Sequence, residues 1–464
     1  MIGIDSALMD VDHMRQDTAP VRKYDPLGAW LKNQFDQWVD AKLPETDRML
    51  ADLRAYNGQY GTDVTFAKGR SQVFVRMTRM KTDAAFSRII DLRFGQSEKD
   101  WGIEPTPEPD ISDDALRQIV QDFISMTGVQ PTAEEIAKVV DEEAKIASEN
   151  MEKLIEDQLV EGGYEGVSKD AMRELCILGA GIIQGPTIKK KIKKRWKSEA
   201  DAWSLCEEEA LFPYFEAVSV FDFYPDPYAT NIAGCIGAYR RHILTREQLR
   251  ALGDRPKFDS EVISDVIRDA PDGNHKPLTH DSELRRISNN LNDRGESHRF
   301  DVIEYWGMVS GDNLAANGCE VPDESQEYRC NVWSSGGRVI RVAMDVPPLD
   351  EIFHMAKYKD IPHQFWGEGV PREMVDSQIM INSGVRALID NLSVTALSQF
   401  EVNVAVLHES QIPTATEIYA GKVWLRDGGD PTTPLMRMHD INNHSNDITN
   451  VIEMFRRFAD EETS

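Results

Sequence analysis

Apolar residues recur at three- and four-residue steps in several long stretches of this chain, and each stretch predicts a helix with one buried face. The first covers residues 24–56, where Trp30, Leu31, Phe35, Trp38 and Val39 share a face. Pro44 marks a break there, or the first turn of a second helix carrying Met49, Leu50 and Leu53. A short strand is expected at residues 73–75, and helical spacing resumes from Met77 through Met80, Ala84, Ile89, Ile90 and Leu92. Arg70, Arg76, Arg79, Lys81, Arg88 and Arg93 make that helix basic, which suits a solvated or salt-bridged face better than a nucleic-acid contact. Residues 103–110, with three prolines at alternate positions, read as an extended spacer or an edge strand, and residues 111–160 as an acidic helical region with a stripe of Ile136, Val139, Val140, Ile146 and Leu154. The next helix, through Leu175 and Leu178, ends at Gly179.

After Gly179 the pattern turns towards strands. One is expected at Ile182 and Ile183, followed by a turn at Gly185 and Pro186 and a basic strand running to Trp196. Residues 211–229 are aromatic and β-prone and close in a Pro-Asp-Pro turn. Thr245, with Gln248 three positions on, forms a capping box for a short helix. Residues 254–298 are polar and loop-rich, with a helix around residues 281–291. Three strands follow, FDVIEYWGMVS, EYRCNVWSS and RVIRVAMDV, the last two joined by a hairpin turn at Ser335-Gly336-Gly337.

The C-terminal third has its own pattern. Pro371 opens a long helix over about 372–398, roughly 40 Å at 1.5 Å per residue. Its apolar face holds Val375, Ile379, Val385, Leu388, Ile389 and Leu392, and its polar face Asp376, Gln378, Asn382, Asn391 and Ser393. The period becomes two at Val402, Val404 and Val406, and Ile418 with Tyr419, then Val423, Trp424 and Leu425, are further strand candidates. Ser445 or Asp447 caps a last helix with Ile448, Val451, Ile452, Phe455 and Phe458 on one face. A helix goes out, a small β unit sits at its end and a helix returns. That arrangement suits a stalk packed against copies of itself better than a catalytic pocket.

Composition narrows the chemistry. The 464 residues suffice for two or three domains, and 41% of them are hydrophobic. No apolar run is long enough to span a membrane, and the N-terminus lacks the pattern of a secretory signal. Five cysteines without CxxC spacing, and ten histidines without HxxxH or HExxH spacing, offer no metal site, so no cofactor is expected. The formal charge of −27 excludes tight nucleic-acid binding over the whole surface, while letting DNA pass without sticking. The strong cationic run is Lys189, Lys190, Lys191, Lys193, Lys194 and Arg195; it reads either as a contact for phosphate or an acidic neighbour, or as a solvent-facing strand that balances the acidic helix. Gly179, Gly181 and Gly185 miss the dinucleotide-loop pattern, because the helix precedes the strand, and no P-loop occurs. Asp222, Asp226 and Glu216 form a carboxylate group, although Asp226 between two prolines is more simply a turn residue.

Four stretches carry a family resemblance: GRSQVFVRMTRMKTDAAFSRIID with GIEPTPEPD, LGAGIIQGP, VSVFDFYPDPYA, and HQFWGEGVPREMVDSQIMINSGVRALIDNL. By this set and its order the chain resembles the portal protein, or head–tail connector, of tailed double-stranded-DNA bacteriophages. The resemblance implies an α+β ring subunit, usually one of twelve, with an α/β wing at residues 1–370, a first stem helix at 371–399, a small β-containing clip at 400–440 and a return stem helix at 441–464. It implies a non-enzymatic channel at one capsid vertex, assembled in the host cytoplasm. The partners implied are other copies of the chain, a packaging ATPase, a tail adaptor, the major capsid protein and the DNA in the channel. Tyr419 and Trp424 become candidates either for motor or adaptor contact or for filling the core of the small β unit. The family's tunnel loop and crown have no counterpart before residue 464. The competing readings are a metal-dependent nuclease using Asp222, Asp226 or the acidic helix, and a general capsid or scaffold protein.

Overall fold

The computed structural model describes residues 25–463 apart from 96–100, 107–116, 118, 119, 122, 126, 127, 129, 200, 201, 289–297, 397, 398, 415, 416, 418–421, 429, 431, 433 and 440. The architecture is mixed helix and sheet, as expected. Contacts divide the chain into two compact units: Met1–Asp52 with Asp83–Gly369, and Leu53–Thr82 with Val370–Ser464. Residues 53–82 thus group with the C-terminal unit.

In chain order the long helices and strands of the first part are α1 (Pro26–Asn57), α2 (Met77–Phe94), α3 (Ala133–Glu161), α4 (Tyr164–Leu178), β1 (Ala180–Glu199), β2 (Ala202–Val218), β3 (Phe223–Pro225) and β4 (Gly237–Thr245). Next come α5 (Arg246–Gly253), α6 (Ser260–Asp269), α7 (Thr279–Ile287), β5 (Arg299–Ser310), β6 (Glu327–Ser335), β7 (Arg338–Met344) and β8 (Phe353–Lys357). The divisions between the units fall inside α1 and α2 and before Val370.

The first unit is built on a five-stranded antiparallel sheet in the order β3-β4-β5-β6-β7. Period-two alternation gives it two covered faces. Tyr239, Tyr305 and Val332 lie in register on one face and pack against Leu27, Leu31, Phe35 and Trp38 of α1, with Trp38 edge-on to Tyr239 at 5.0 Å. Phe300, Val302, Trp333 and Ile340 on the other face meet Leu249 and Leu252 of α5 and Val262, Ile263, Val266 and Ile267 of α6. Helix α6 sits where a loop-rich stretch is expected; Asp259 caps it by accepting from Glu261 N at 3.0 Å and Val262 N at 3.1 Å. The β6–β7 hairpin turns through Gly336 and Gly337, both at positive φ (59° and 80°), where a side chain would be strained. The Thr245–Gln248 capping box on α5 is present, and Gly179 ends α4 at φ 88°.

Three local expectations are corrected. Pro44 does not break α1, because buried residues continue on both sides of it (Trp38 and Lys42, then Thr46, Met49 and Leu50), and that packing outweighs one lost backbone hydrogen bond. Gly185 and Pro186 are not a turn: β1 runs through them with a register shift against β2, and Gly185 takes φ 133°. Residues 73–75 form no strand, since their polar groups go to side chains within the second unit, as described below.

The second unit contains α8 (Val375–Thr395), β9 (Gln399–Val402), β10 (Met436–His439) and α9 (Ser445–Glu462). Helix α8 is shorter than expected. Its 21 residues span about 32 Å, because Met374 leaves the helical region and separates it from a single turn at Val370–Glu373. Strand β9 stops at Val402, where Asn403 Oδ1 accepts from Ala405 N at 3.2 Å and turns the chain; Val406 and Leu407 are buried beyond it, off the strand. No side chain caps α9: Asn443 Oδ1 accepts from Ser445 N at 2.9 Å one residue before the helix N-cap would act.

Candidate functional site

Helices α8 and α9 pair antiparallel. Ser445 Oγ lies 3.4 Å from Asn391 Oδ1, and the Cα of Gly384 comes so close to α9 that an added Cβ would meet Ile452 Cγ1 at 2.7 Å. The same register sets buried Ala459 level with buried Ser377. Small residues thus bring the two helices together. Gly384→Leu is expected to destabilise this unit by about 1–3 kcal/mol through overpacking, read as a lower midpoint in denaturant-induced loss of helical circular dichroism. Ile452→Ala in the same chain should recover much of that loss, and independent additivity of the two changes would refute the close crossing.

The polar face of α8 is closed in part by its own chain. Gln378 and Asn382 are buried against residues 75–78 of the same unit. Gln378 Oε1 accepts from Thr78 N at 2.9 Å and Thr78 Oγ1 at 2.8 Å, while its Nε2 donates to Val75 O at 2.8 Å. Asn382 Oδ1 accepts from Val75 N at 2.8 Å, and Asp390 Oδ1 from Ser71 N at 2.9 Å. Arg386 lies 5.2 Å from the Tyr60 ring and 5.3 Å from the Phe66 ring. Lys81 and Asp460 close the far side at 2.5 Å. The amides of α8 therefore replace the ladder that residues 73–75 would have had in a sheet.

The apolar face is the one left open. Ile379 is 55% exposed and Leu392 44%, and Met380 and Val394 are exposed beside them. Val375, Val385, Leu388 and Ile389 are half-buried. On α9, Val451, Met454 and Phe458 are exposed, and Met454 and Phe458 line a shallow groove with Asn450, Glu453, Arg457 and Glu461. Between the helices Trp424 is half-buried with Lys422 Nζ 4.0 Å from its ring centre, and Tyr419 lies outside the described residues.

The basic run lies in β1 and pairs with β2 in a long ribbon. The register sets Lys193 opposite Glu208, Lys194 opposite Glu207 and Ile192 opposite Glu209, while Lys189, Lys190 and Lys191 oppose Phe212, Leu211 and Ala210. The acids in register with the cations are thus on the neighbouring strand, not on the acidic helix. The sequence carries a signal for this, since the cationic run and Glu207–Glu209 stand symmetrically about residues 200–201. Lys189 Nζ sits 3.1 Å from the Tyr214 ring centre, and partial burial lowers its pKa. The side chains of Lys190, Lys191, Lys193 and Arg195 lie outside the described ones.

The carboxylates weighed for metal chemistry serve the fold. Asp226 is buried in its turn and accepts from Tyr228 N at 3.0 Å; Asp222 Oδ1 accepts from Arg241 Nε at 3.0 Å. Among the described residues no group of three or more His, Cys, Asp or Glu is placed to hold a metal ion, and no described helix is long and apolar enough to cross a membrane.

The strongest electrostatics lie in a cluster of the first unit that sequence reasoning missed. Arg241 donates to both oxygens of Asp281 at 2.8 and 2.6 Å, and Asp281 also accepts from Leu278 N at 2.7 Å to cap α7. Burial alone would raise the Asp281 pKa, but the Arg241 hydrogen bonds and charge lower it. Lys42 is fully enclosed, donates to Val220 O and to Phe223 O, and is pushed down to about 7 by burial. Burial also takes His280 down to about 4. Single polar residues inside apolar helical or strand patterns, such as Lys42 on the buried face of α1, were the available signal.

Comparison with models of known protein families returns no match, and comparison with curated proteins returns none either.

Proposed function

We propose that the chain is a ring-forming portal subunit of a tailed double-stranded-DNA bacteriophage. The observation that carries this reading is the antiparallel α8–α9 pair, with a small two-stranded β unit between its helices and an apolar row left exposed on both. A helix pair that keeps Ile379, Leu392, Val451 and Phe458 in water gains about 25 cal/mol for each Å² of apolar surface it buries. Identical neighbours placed side by side bury it, and a closed circle of such contacts leaves no exposed seam. The mechanism is geometric. The ring forms a channel at one capsid vertex, a separate ATPase drives DNA through it, and a tail adaptor and the major capsid protein bind its outside. The overall charge of −27 favours a channel along which DNA slides without adhering.

The test is electron microscopy and sedimentation of the purified protein. Rings with a central hole are the expected particles, and sheets or shells would favour a capsid or scaffold role instead. Ile379→Asp should abolish rings while leaving the chain folded, because its side chain is exposed in the single subunit and becomes a buried unpaired charge only in the seam. Wild-type ring formation by that variant would remove α8 from the seam.

A further inference from the structure

Lys42 continues the buried stripe of α1, four residues after Trp38 and four before Thr46, and is 6% exposed. Its Nζ donates to Val220 O and, at 2.8 Å, to Phe223 O. It lies 4.6 Å from the Tyr224 ring centre and 4.9 Å from that of Trp366. The two carbonyls belong to the short helical turn Val220–Asp222 and to the first residue of β3, so one side chain ties α1 to that corner of the sheet. Two carbonyls match the two N–H groups of a neutral amine. An ammonium has a third, and the described contacts leave it the two ring faces.

The carboxylates around it are engaged elsewhere. Glu174 of α4 accepts from Val220 N at 3.0 Å and from the Ser219 hydroxyl. Asp222 accepts from Arg241 Nε at 3.0 Å, and Glu45 from Arg48 Nε at 2.8 Å. Among the described residues, none of them forms an ion pair with Lys42. Burial is the largest influence on Lys42 and takes its pKa down to about 7; the charges of Asp222, Glu174 and Glu45 oppose that, and the charge of Arg241 adds to it. On α7, Asp281 is tied to Arg241, and His280, taken down to about 4 by burial, is uncharged at neutral pH. Burial raises the Tyr224 phenol, which is uncharged as well.

We propose that Lys42 is a proton-sensitive fastening for α1: uncharged, it ties the helix to residues 220–223, and protonation weakens that tie. The inference concerns the first unit alone and does not depend on the ring reading. Its sign follows from linkage. The unfolded chain exposes Lys42 and keeps it protonated up to the ordinary value of 10.5. Between about 7 and 10.5 the unfolded chain holds one more proton at this position than the folded one, so stability rises with pH across that window. Below about 7 both states are protonated there, and the cost of the buried charge is constant.

Guanidinium unfolding of the full-length wild type and of Lys42→Met, at equal chain concentration over a series of pH values on both sides of neutrality, tests it. Groups common to both chains cancel in the comparison. The ratio of the wild-type folding constant to that of the variant should be level below about pH 7 and rise above it by about tenfold per pH unit. A ratio that stays level throughout, as a purely structural lysine would give, overturns the inference. Should Lys42→Met fail to fold, amide hydrogen exchange of the wild type supplies the same reading. Protection of the Glu45, Thr46 and Asp47 amides, corrected for the intrinsic exchange rate, should climb over the same window. Protection that is level across it overturns the inference too.

Discussion

Arg241→Met is expected to destabilise the first unit by about 3–5 kcal/mol, the usual consequence of removing one partner from a buried ion pair. The Arg241 guanidinium is 3% exposed and donates to Asp281 through two nitrogens, with Asp222 at 3.0 Å as a third contact. Methionine fills much of the volume but leaves the Asp281 carboxylate in a dry site. The pH dependence should change sign. In the wild type the Asp281 pKa is held below its ordinary value, so its stabilisation is present above the unfolded pKa and is lost as pH falls through the folded one. In the variant burial is opposed chiefly by the one remaining Leu278 N–H and is expected to raise that pKa, so the folded form takes up a proton more readily than the unfolded chain. The stability difference between wild type and variant should therefore shrink on acidification through the carboxylate range. Guanidinium unfolding followed by fluorescence reads this, since Trp30, Trp38, Trp306 and Trp333 all lie in this unit. An equal difference at neutral and acid pH would refute the pairing.

Gln378→Leu should cost the second unit about 2 kcal/mol. Thr78 N–H and the Thr78 hydroxyl, both buried, lose their partner together, each worth about 1 kcal/mol or more when left unmade, while Val75 C=O keeps the Met77 N–H. Thr78 N is also one of the first donors of α2, so Gln378 caps that helix from a distance in sequence of 300 residues. Faster amide hydrogen exchange at Thr78 and in the first turn of α2 is the expected local sign, with the β4–β5 ladder unchanged. Unchanged exchange at Thr78 would show that the amide contacts carry no stability.

The element types were largely readable from the chain. Strands β5, β6 and β7 follow from alternation, the β6–β7 turn from Gly336-Gly337, and the ends of α4 and α5 from Gly179 and the Thr245–Gln248 pair. These signals are local: a side chain meets its own backbone or its period-two neighbours. Helix α6 was missed because ten residues hold too few repeats to rise above a polar background. For the proposed site, the apolar stripe of α8 was legible, and the partners of its polar stripe were not. Gln378 and Asn382 look solvent-facing in a one-dimensional pattern, yet they satisfy the backbone of residues 75–78.

The order of helix, small β unit and returning helix, the acidity of α3 and the cationic run of β1 are properties of the sequence alone, since periodicity and charge require no knowledge of distant partners. Which face of α8 is closed, which acids lie in register with the cations, and how Arg241, Asp222 and Asp281 meet were decided by the tertiary structure. Each of those contacts joins residues on different elements of the chain, and a hydrogen-bonding side chain reads the same in a linear pattern whether its partner is water or buried backbone.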